Sequence, residues 1–289
     1  MIANKSPLKI HSDLIYDIGL FDGKDTAYYL FRGYKVLAVD ANPTMVEKAR
    51  SKFASEIAAG RLRLLNVGKS KKPGTADFWI SDFAEWSSFD RAVASREGTP
   101  HRALPVTTVP FTQLLEEYGV PHYMKIDIEG NDRLCVEALR GTPLPRYISV
   151  ESECASDSDP LSEPAAVATL ELLREVGYKR FKLVQQGCLH PVRPNPIGRF
   201  WMRLVTSAAR GRLRVPGIAD IAEKFTDSAR LKDSGFVFEH GASGPWGEDV
   251  GGGWMNFERA RTLYLEKRRS HFSEERPLFS FWYDWHATL

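Results

Sequence analysis

The chain is short of cysteine, of net charge and of long apolar runs, and each shortage closes off a class of protein. Its three cysteines, Cys135, Cys154 and Cys188, are odd in number and widely spaced. They fit no zinc pattern and no disulfide scaffold, and they point to a reducing, cytoplasmic compartment. Cys135 falls on an apolar helical face with Leu134, Ala138 and Leu139, which reads as packing. Basic and acidic residues, 39 and 37, leave a net charge of only +2, so there is no general signal for a polyanion and no nucleic-acid partner is expected. No stretch approaches the roughly 18 consecutive apolar residues that a spanning helix needs, and Met1–Pro7 lacks the apolar core of a secretory signal. What is present is 43% hydrophobic content over 289 residues. That suffices for a substantial core, in one large domain or one domain with an elaborate insertion.

Apolar runs alternate with helical patterns from the start, the signature of a parallel sheet with helices on both faces. The run Leu14–Ile18 ends at Asp17-Ile-Gly19, a turn where a side chain would obstruct a ligand. A helix is expected from about Lys24 to Arg32, with Asp25 and Thr26 at its start and Gly33 past its end. The next run, Val36-Leu-Ala-Val-Asp40, ends in a carboxylate 21 positions after Gly19. That is the separation at which α/β nucleotide folds bring an acid to a ribose diol. Asp17, Gly19, Gly23 and Asp40 are therefore candidate residues for an adenosine-containing cofactor.

Glycine spacing selects among such cofactors. A dinucleotide site needs G-x-G-x-x-G so that a pyrophosphate can meet the backbone. Here Gly19 and Gly23 enclose Leu20, Phe21 and Asp22, and the carboxylate of Asp22 opposes a diphosphate. S-adenosylmethionine, a cation with no phosphate, fits, with Asp17 and Asp22 attracting its charged end.

A third run, His122-Tyr-Met-Lys-Ile-Asp-Ile-Glu-Gly130, carries Asp127 and Glu129 at the edge where open α/β sheets bind ligands. The two acids either serve chemistry beside the cofactor or cap the next helix, a role that Asn131 and Asp132 already fill. A fourth run, Arg146 to Glu153, brings Glu151 and Glu153 to the same edge.

Taken together, Tyr16-Asp-Ile-Gly19 with Gly23, Val39-Asp-Ala-Asn-Pro43, Leu65-Asn-Val-Gly68, Pro110-Phe-Thr-Gln-Leu-Leu115, Lys125-Ile-Asp-Ile-Glu-Gly130 and Ser149-Val-Glu151 resemble the FkbM-type family of S-adenosylmethionine-dependent methyltransferases. The likeness spans roughly residues 12 to 185, and the hexapeptide from Lys125 is its most specific part. It implies a Rossmann-like class I fold, a seven-stranded, mostly parallel sheet whose last strand is antiparallel. It also implies methyl transfer to a hydroxyl, commonly on a sugar or secondary metabolite, and adds Asn42, Asn66 and Asp127 to the cofactor residues. Phe21 stands where relatives often carry a small or polar residue.

The remaining elements follow from periodicity. Helices are expected from Pro43 to about Ala59, over Phe111–Tyr118, from Asn131 to Arg140 and over Ala165–Val176, and strands over Leu62–Val67, Ala76–Ile80 and Arg180–Val184. Lys69–Gly74 reads as a solvated hairpin tip, and residues 81–105, with little periodicity, as an adenine-side loop. The final strand is placed at Leu278–Tyr283, which carries Asp284 and His286 to the far edge of the sheet. The chain then divides into a cofactor core (1–187), a substrate-binding lid (188–276) inserted over the active site, and a closing strand (277–289).

Within that lid, Arg193–Arg214 is basic and interleaved with aromatics. It suits peripheral contact with an anionic membrane or an acidic glycan, or is simply an exposed basic helix. Residues 239–254 are glycine-rich, and Trp246 and Trp254 could stack on a sugar while Glu248 and Asp249 bond its hydroxyls; a surface loop with buried indoles is the alternative. Because an alcohol is a weak nucleophile, a base or a metal is expected. Asp127 and Glu129 are the candidates, as base or as ligands of magnesium or manganese, with His240 the best-placed histidine. His101 and His122 read as surface or turn residues. A base methyltransferase would instead carry an [Asp/Asn]-Pro-Pro-aromatic motif, and a glycan-binding module would need only the two tryptophans.

Overall fold

The computed structural model describes residues 7–152, 162–187, 189–192, 235–239, 241–272 and 282–289. In chain order the elements are β1 (Leu14–Ile18), α1 (Lys24–Phe31), β2 (Lys35–Asp40), α2 (Pro43–Lys52), α3 (Ala54–Ala58), β3 (Leu62–Asn66), β4 (Gly68–Ser70), β5 (Gly74–Ser81), α4 (Arg91–Ala94), β6 (His101–Pro110), α5 (Phe111–Tyr118), β7 (Tyr123–Ile126), α6 (Asp132–Glu137), β8 (Tyr147–Glu151), α7 (Glu163–Val176), β9 (Arg180–Gln185), β10 (His190–Pro191), α8 (Phe257–Phe272) and β11 (Tyr283–Thr288). Local chemistry sets the helix ends. The Asn42 side chain accepts from the Thr44 amide ahead of Pro43 at the start of α2, Ser162 does the same for Ala165 in α7, and Gly177 ends α7.

Among the described residues the main sheet has eight strands in the order β10-β9-β11-β8-β7-β1-β2-β3. Strands β8, β7, β1, β2 and β3 run parallel, and β11 inserts antiparallel between β8 and β9. This is the expected mostly parallel α/β sheet, with the two-residue β10 as an eighth, edge strand beyond the seven anticipated. One face packs Tyr16, Ile18, Met124, Ile126, Ile148, Val150, Leu183 and Trp285 against α5, α6, α7 and α8. The other packs Ile15, Val36, Ala38, Tyr123 and Tyr147 against α1, α2 and the segment 236–254.

Three local expectations are corrected. The loop expected over 81–105 gives way at residue 101 to a ten-residue strand, 101–110, which with β4 and β5 makes a separate three-stranded sheet. Pairing in that sheet supplies what the weak apolar pattern did not. Lys69 consequently lies in β4, pairs in register with Val109 and is buried, so it is no solvated tip. The closing strand is Tyr283–Thr288, not Leu278–Tyr283, and positions 278–281 lie outside the described residues. Its residues alternate because Trp285 and Ala287 meet the apolar face while Asp284, His286 and Thr288 point to the other.

Much of the described part of the segment expected as a lid packs into the body of the fold, while Gly241 lines a cavity and the Ser243 amide donates to Asp25 at 2.9 Å. Helix α8 buries Ala260, Leu263, Tyr264 and Leu265 in the main core, and Met255 bridges to Phe181 of β9. Trp246 is 5% exposed and stacks on Tyr123 at 4.5 Å and 8°, with Tyr147 beside it. Those tyrosines open β7 and β8, so the indole sits toward the amino edge of the sheet, opposite to the catalytic edge. The basic stretch Arg193–Arg214, with Cys154 and Cys188, falls outside the described residues. No described helix is long and apolar enough to cross a membrane.

Candidate active site

A cavity of about 860 Å³ opens at the carboxyl ends of β1, β2 and β7. That is the crevice at which open α/β sheets take ligands. Its floor is built by close backbone approach. Gly19 has φ +92°, and a Cβ there would stand 1.7 Å from the carbonyl oxygen of Asp127, so β1 and β7 can converge at that height only through glycine. Phe21 follows with φ 49°, a left-handed turn that aims its amide at Asp40, which accepts at 2.8 Å. The Asn42 amide donates to the other Asp40 oxygen at 2.7 Å. Burial raises the pKa of Asp40 while these two bonds pull it down. Asn42 lines the cavity, but Asn66 does not: its side-chain amide donates to the Asp40 and Ala41 carbonyls and so fixes the loop behind the site.

Lys125 is the electrostatic centre. Its neighbours Met124 and Ile126 face the apolar core, and its own side chain points the other way, 4% exposed. The ammonium donates to the Gly19 carbonyl at 2.9 Å and lies 3.2 Å from Asp25, 3.4 Å from Asp127 and 3.5 Å from Asp17. Burial pulls its pKa down, but the three carboxylates overcome this and hold it well above the ordinary lysine value. Asp17, with no exposure and a 2.5 Å bond from the Thr26 hydroxyl, is pushed by burial to about 6. Asp22 is engaged by Lys24 at 2.6 Å.

The cleft is also lined by Asp127, Glu129 and Glu151. Glu129 has φ 49°, strained for a residue other than glycine. Its carbonyl accepts from the Ser88 hydroxyl at 2.6 Å and its carboxylate is 3.8 Å from Arg96. Burial, with the charge of Asp127, raises its pKa to about 8. Burial and Glu129 likewise push Glu151 well above the carboxylate range.

Glu151 pairs in register with Asp284, which the antiparallel β11 brings to the catalytic edge rather than away from it. Asp284 accepts a hydrogen bond from Gln186, and burial raises its pKa to about 8. His286 stays buried in mid-strand opposite Ser149. Phe83, Trp86 and Trp282 complete the rim.

Other sequence candidates fall elsewhere. Glu248 and Trp254 bond each other at 3.1 Å away from the cavity, Trp254 stacks on Tyr147, and Asp249 pairs with Arg32 on α1. Of the described residues in 188–276, Gly241 reaches the cavity. Trp246 is buried against Tyr123, and neither Trp246 nor Trp254 lines the cavity, so the described residues bring neither indole of the expected sugar platform to the cleft. Glu153 and His240 lie outside the described residues.

The described residues include no group of three or more His, Cys, Asp or Glu suited to a metal ion. The ammonium of Lys125 stands 3.4 Å from Asp127. Sequence reading passed over Lys125 and Asp284. The signal for the first was a lysine between two core residues of a buried strand.

Comparison with known proteins adds the lineage. No curated protein matches the chain. Among solved structures, the methyltransferase FkbM from Methylobacillus flagellatus KT aligns at 12% identity and TM-score 0.40, over 64% of this chain and 43% of its own. A protein from Galdieria sulphuraria provisionally assigned as a sarcosine dimethylglycine methyltransferase aligns at 9% identity and TM-score 0.32, over 96% and 76%. The family model of the methyltransferase FkbM domain matches residues 17–180, from the Asp17 held by Lys125 to the first residue of β9. That is more than half of the chain, and the protein belongs to the FkbM methyltransferase family.

Proposed function

We propose that the protein is an S-adenosylmethionine-dependent O-methyltransferase acting on a hydroxyl of a sugar, glycan or secondary metabolite. The observation that carries this reading is a cleft lined by two sets of residues, Gly19, Asp25 and Asp40 from β1, α1 and β2, and Asp127, Glu129 and Glu151 from the ends of β7 and β8. The first set fits the cofactor. Asp40, already accepting two amides, retains lone pairs for a ribose diol. Asp17 and Asp25 give negative potential for an amino-acid ammonium, and the glycine floor leaves room beside it. When bound, S-adenosylmethionine supplies an electrophilic methyl carbon on a sulfonium.

The second set handles the acceptor. Phe83, Trp86 and Trp282 offer apolar faces, and the carboxyl groups offer hydrogen-bond partners, a combination suited to a hydroxylated ring. Glu129 is placed to take the proton of an acceptor hydroxyl, and S-adenosylmethionine held by Asp40 and the glycine floor would supply the methyl group. The Glu129 pKa near 8 matches a base working close to neutrality. Asp127, paired to Lys125, orients the hydroxyl. The test is calorimetric binding of S-adenosylhomocysteine, followed by transfer of labelled methyl from S-adenosylmethionine to a panel of sugars and phenols. Absence of cofactor binding, or label appearing only on nitrogen acceptors, refutes the reading.

A further inference from the structure

The turn after β7 is held from two directions, and one of the holders belongs to the small sheet. Glu129 has φ 49°, and Gly130 follows it at φ 110°. The amides on either side of Glu129, those of Ile128 and Gly130, donate to the two carboxylate oxygens of Asp132 at 3.0 and 3.1 Å. That grip ties the neighbours of Glu129 to the start of α6 and leaves its carbonyl to find a donor elsewhere. Ser88 is that donor, its hydroxyl oxygen 2.6 Å away.

Ser88 is itself firmly held. It has no exposure, and it exchanges two backbone hydrogen bonds with Trp79 of β5, at 2.8 and 3.0 Å. Its Oγ accepts from the Asp90 amide at 3.0 Å, which leaves the hydroxyl proton to point at the Glu129 carbonyl. A residue other than glycine stays in the left-handed region only where its surroundings over-determine it. Gly130 brings no side chain to resist rotation of the peptide that joins it to Glu129. The plane of that peptide is instead fixed by hydrogen bonds, from Ser88 at its carbonyl and to Asp132 at its N–H. Without the Ser88 hydroxyl the carbonyl loses this donor, and the strained turn can relax.

We propose that Ser88 is a positioning residue for the proton transfer: its hydroxyl, bound to the Glu129 carbonyl, keeps the turn that directs the Glu129 carboxylate into the cleft. The proposal rests on the reading of Glu129 as the base. The groups that set the charge around that carboxylate are Asp127, Asp132, Glu85 and Glu151, and Arg96 opposes them.

Carboxyl carbon NMR on the full chain tests the contact, with the Glu129 signal assigned by its absence from E129Q. In wild type this signal should titrate near 8. In S88A the carboxylate should swing toward water and become at least about tenfold more acidic, moving toward the ordinary 4.5. S88T, which keeps the hydroxyl, should restore the midpoint. If S88A does not fold, S88C, close in size but a weak donor, carries the same expectation. Turnover is then read with S-adenosylmethionine and the sugar or phenol labelled in the acceptor panel. S88A should lower it about tenfold at pH 8, leave S-adenosylhomocysteine affinity in place and cause no further fall in an E129Q background. An unmoved midpoint overturns the proposal. So does an equal fall with and without E129Q, because loosening of the fold would then explain the loss. If E129Q itself keeps wild-type turnover, the base reading fails and the proposal with it; if E129Q is inactive and only the Ser88 tests fail, the base reading survives.

Discussion

Replacing Lys125 by methionine is the most informative single change, because one ammonium serves three carboxylates and the Gly19 carbonyl. The side chains are similar in length, so packing is nearly conserved and the electrostatics are removed. At an effective dielectric of 20, one unit pair at such a separation is worth about 5 kcal/mol before desolvation is subtracted. Truncating one member of a buried ion pair costs a net ~3–5 kcal/mol, since the other is left uncompensated. Against a total stability of roughly 5–15 kcal/mol, Lys125→Met should remove about a fifth or more. The loss should depend on pH. Asp17 titrates near 6 in the folded protein, above its ordinary value of 3.8, and losing Lys125 moves it higher. A group whose folded pKa is raised contributes stability below its unfolded pKa and loses it as pH climbs through the folded one. The deficit of the variant should therefore be larger at pH 8 than at pH 5, as read from urea melts at both. A deficit under about 1 kcal/mol at pH 8, or one of equal size at both pH values, would refute the assignment of Lys125 as the counter-ion of this cluster.

Asp40→Ala should weaken S-adenosylhomocysteine binding by about 1–3 kcal/mol in calorimetry, and an unchanged affinity would remove Asp40 from the ribose. Wild-type turnover should climb as pH approaches 8, where Glu129 ionises, and Glu129→Gln should flatten that profile while lowering turnover about a hundredfold. Asp284, with a folded pKa near 8 against 3.8 unfolded, makes the wild type lose stability as pH rises between those values. Asp284→Asn should gain on wild type in thermal melts at pH 8 and not at pH 4. Trp246→Ala should cost about 3–5 kcal/mol in stability and leave cofactor and acceptor constants in place; a raised acceptor Michaelis constant alone would restore the lid role.

What the sequence made legible were features carried by local chemistry. The turn at Gly19, the carboxylate of Asp40, the Asn42-Pro43 helix start and the acids after β7 each declare themselves in a few residues. Long-range pairing hid the rest. His101–Pro110 has no sustained alternation and becomes a strand through its partners β4 and β5. Asp284 and His286 read as residues of the far edge because the closing strand was expected at Leu278–Tyr283; with the strand at Tyr283–Thr288 they share a polar, buried face of the sheet. Trp246, with glycines on every side, looked like a mobile ligand platform until Tyr123 was found beneath it.

That polar face carries a row in perfect cross-strand alignment: Asp17, Lys125, Ser149, His286 and Lys182 are successive register partners on β1, β7, β8, β11 and β9. All five are buried, and Lys182 is satisfied by the Gly247 and Val250 carbonyls of the segment that covers it. Apolar strands of such regular pattern could otherwise pair two residues out of step and still bury their hydrophobic side chains. A two-residue shift of β7 on β1 that set the Lys125 ammonium beside Ile15 would put Asp17 opposite Asp127, acid against acid, and a one-residue shift would drive Lys125 into the hydrocarbon face and leave Asp17 opposite Met124 or Ile126. The row thus works as a set of alignment pins. The same charges that equip the cleft also tell the strands where to stop sliding during folding, so mutations that disarm the site would be expected to blur the sheet itself.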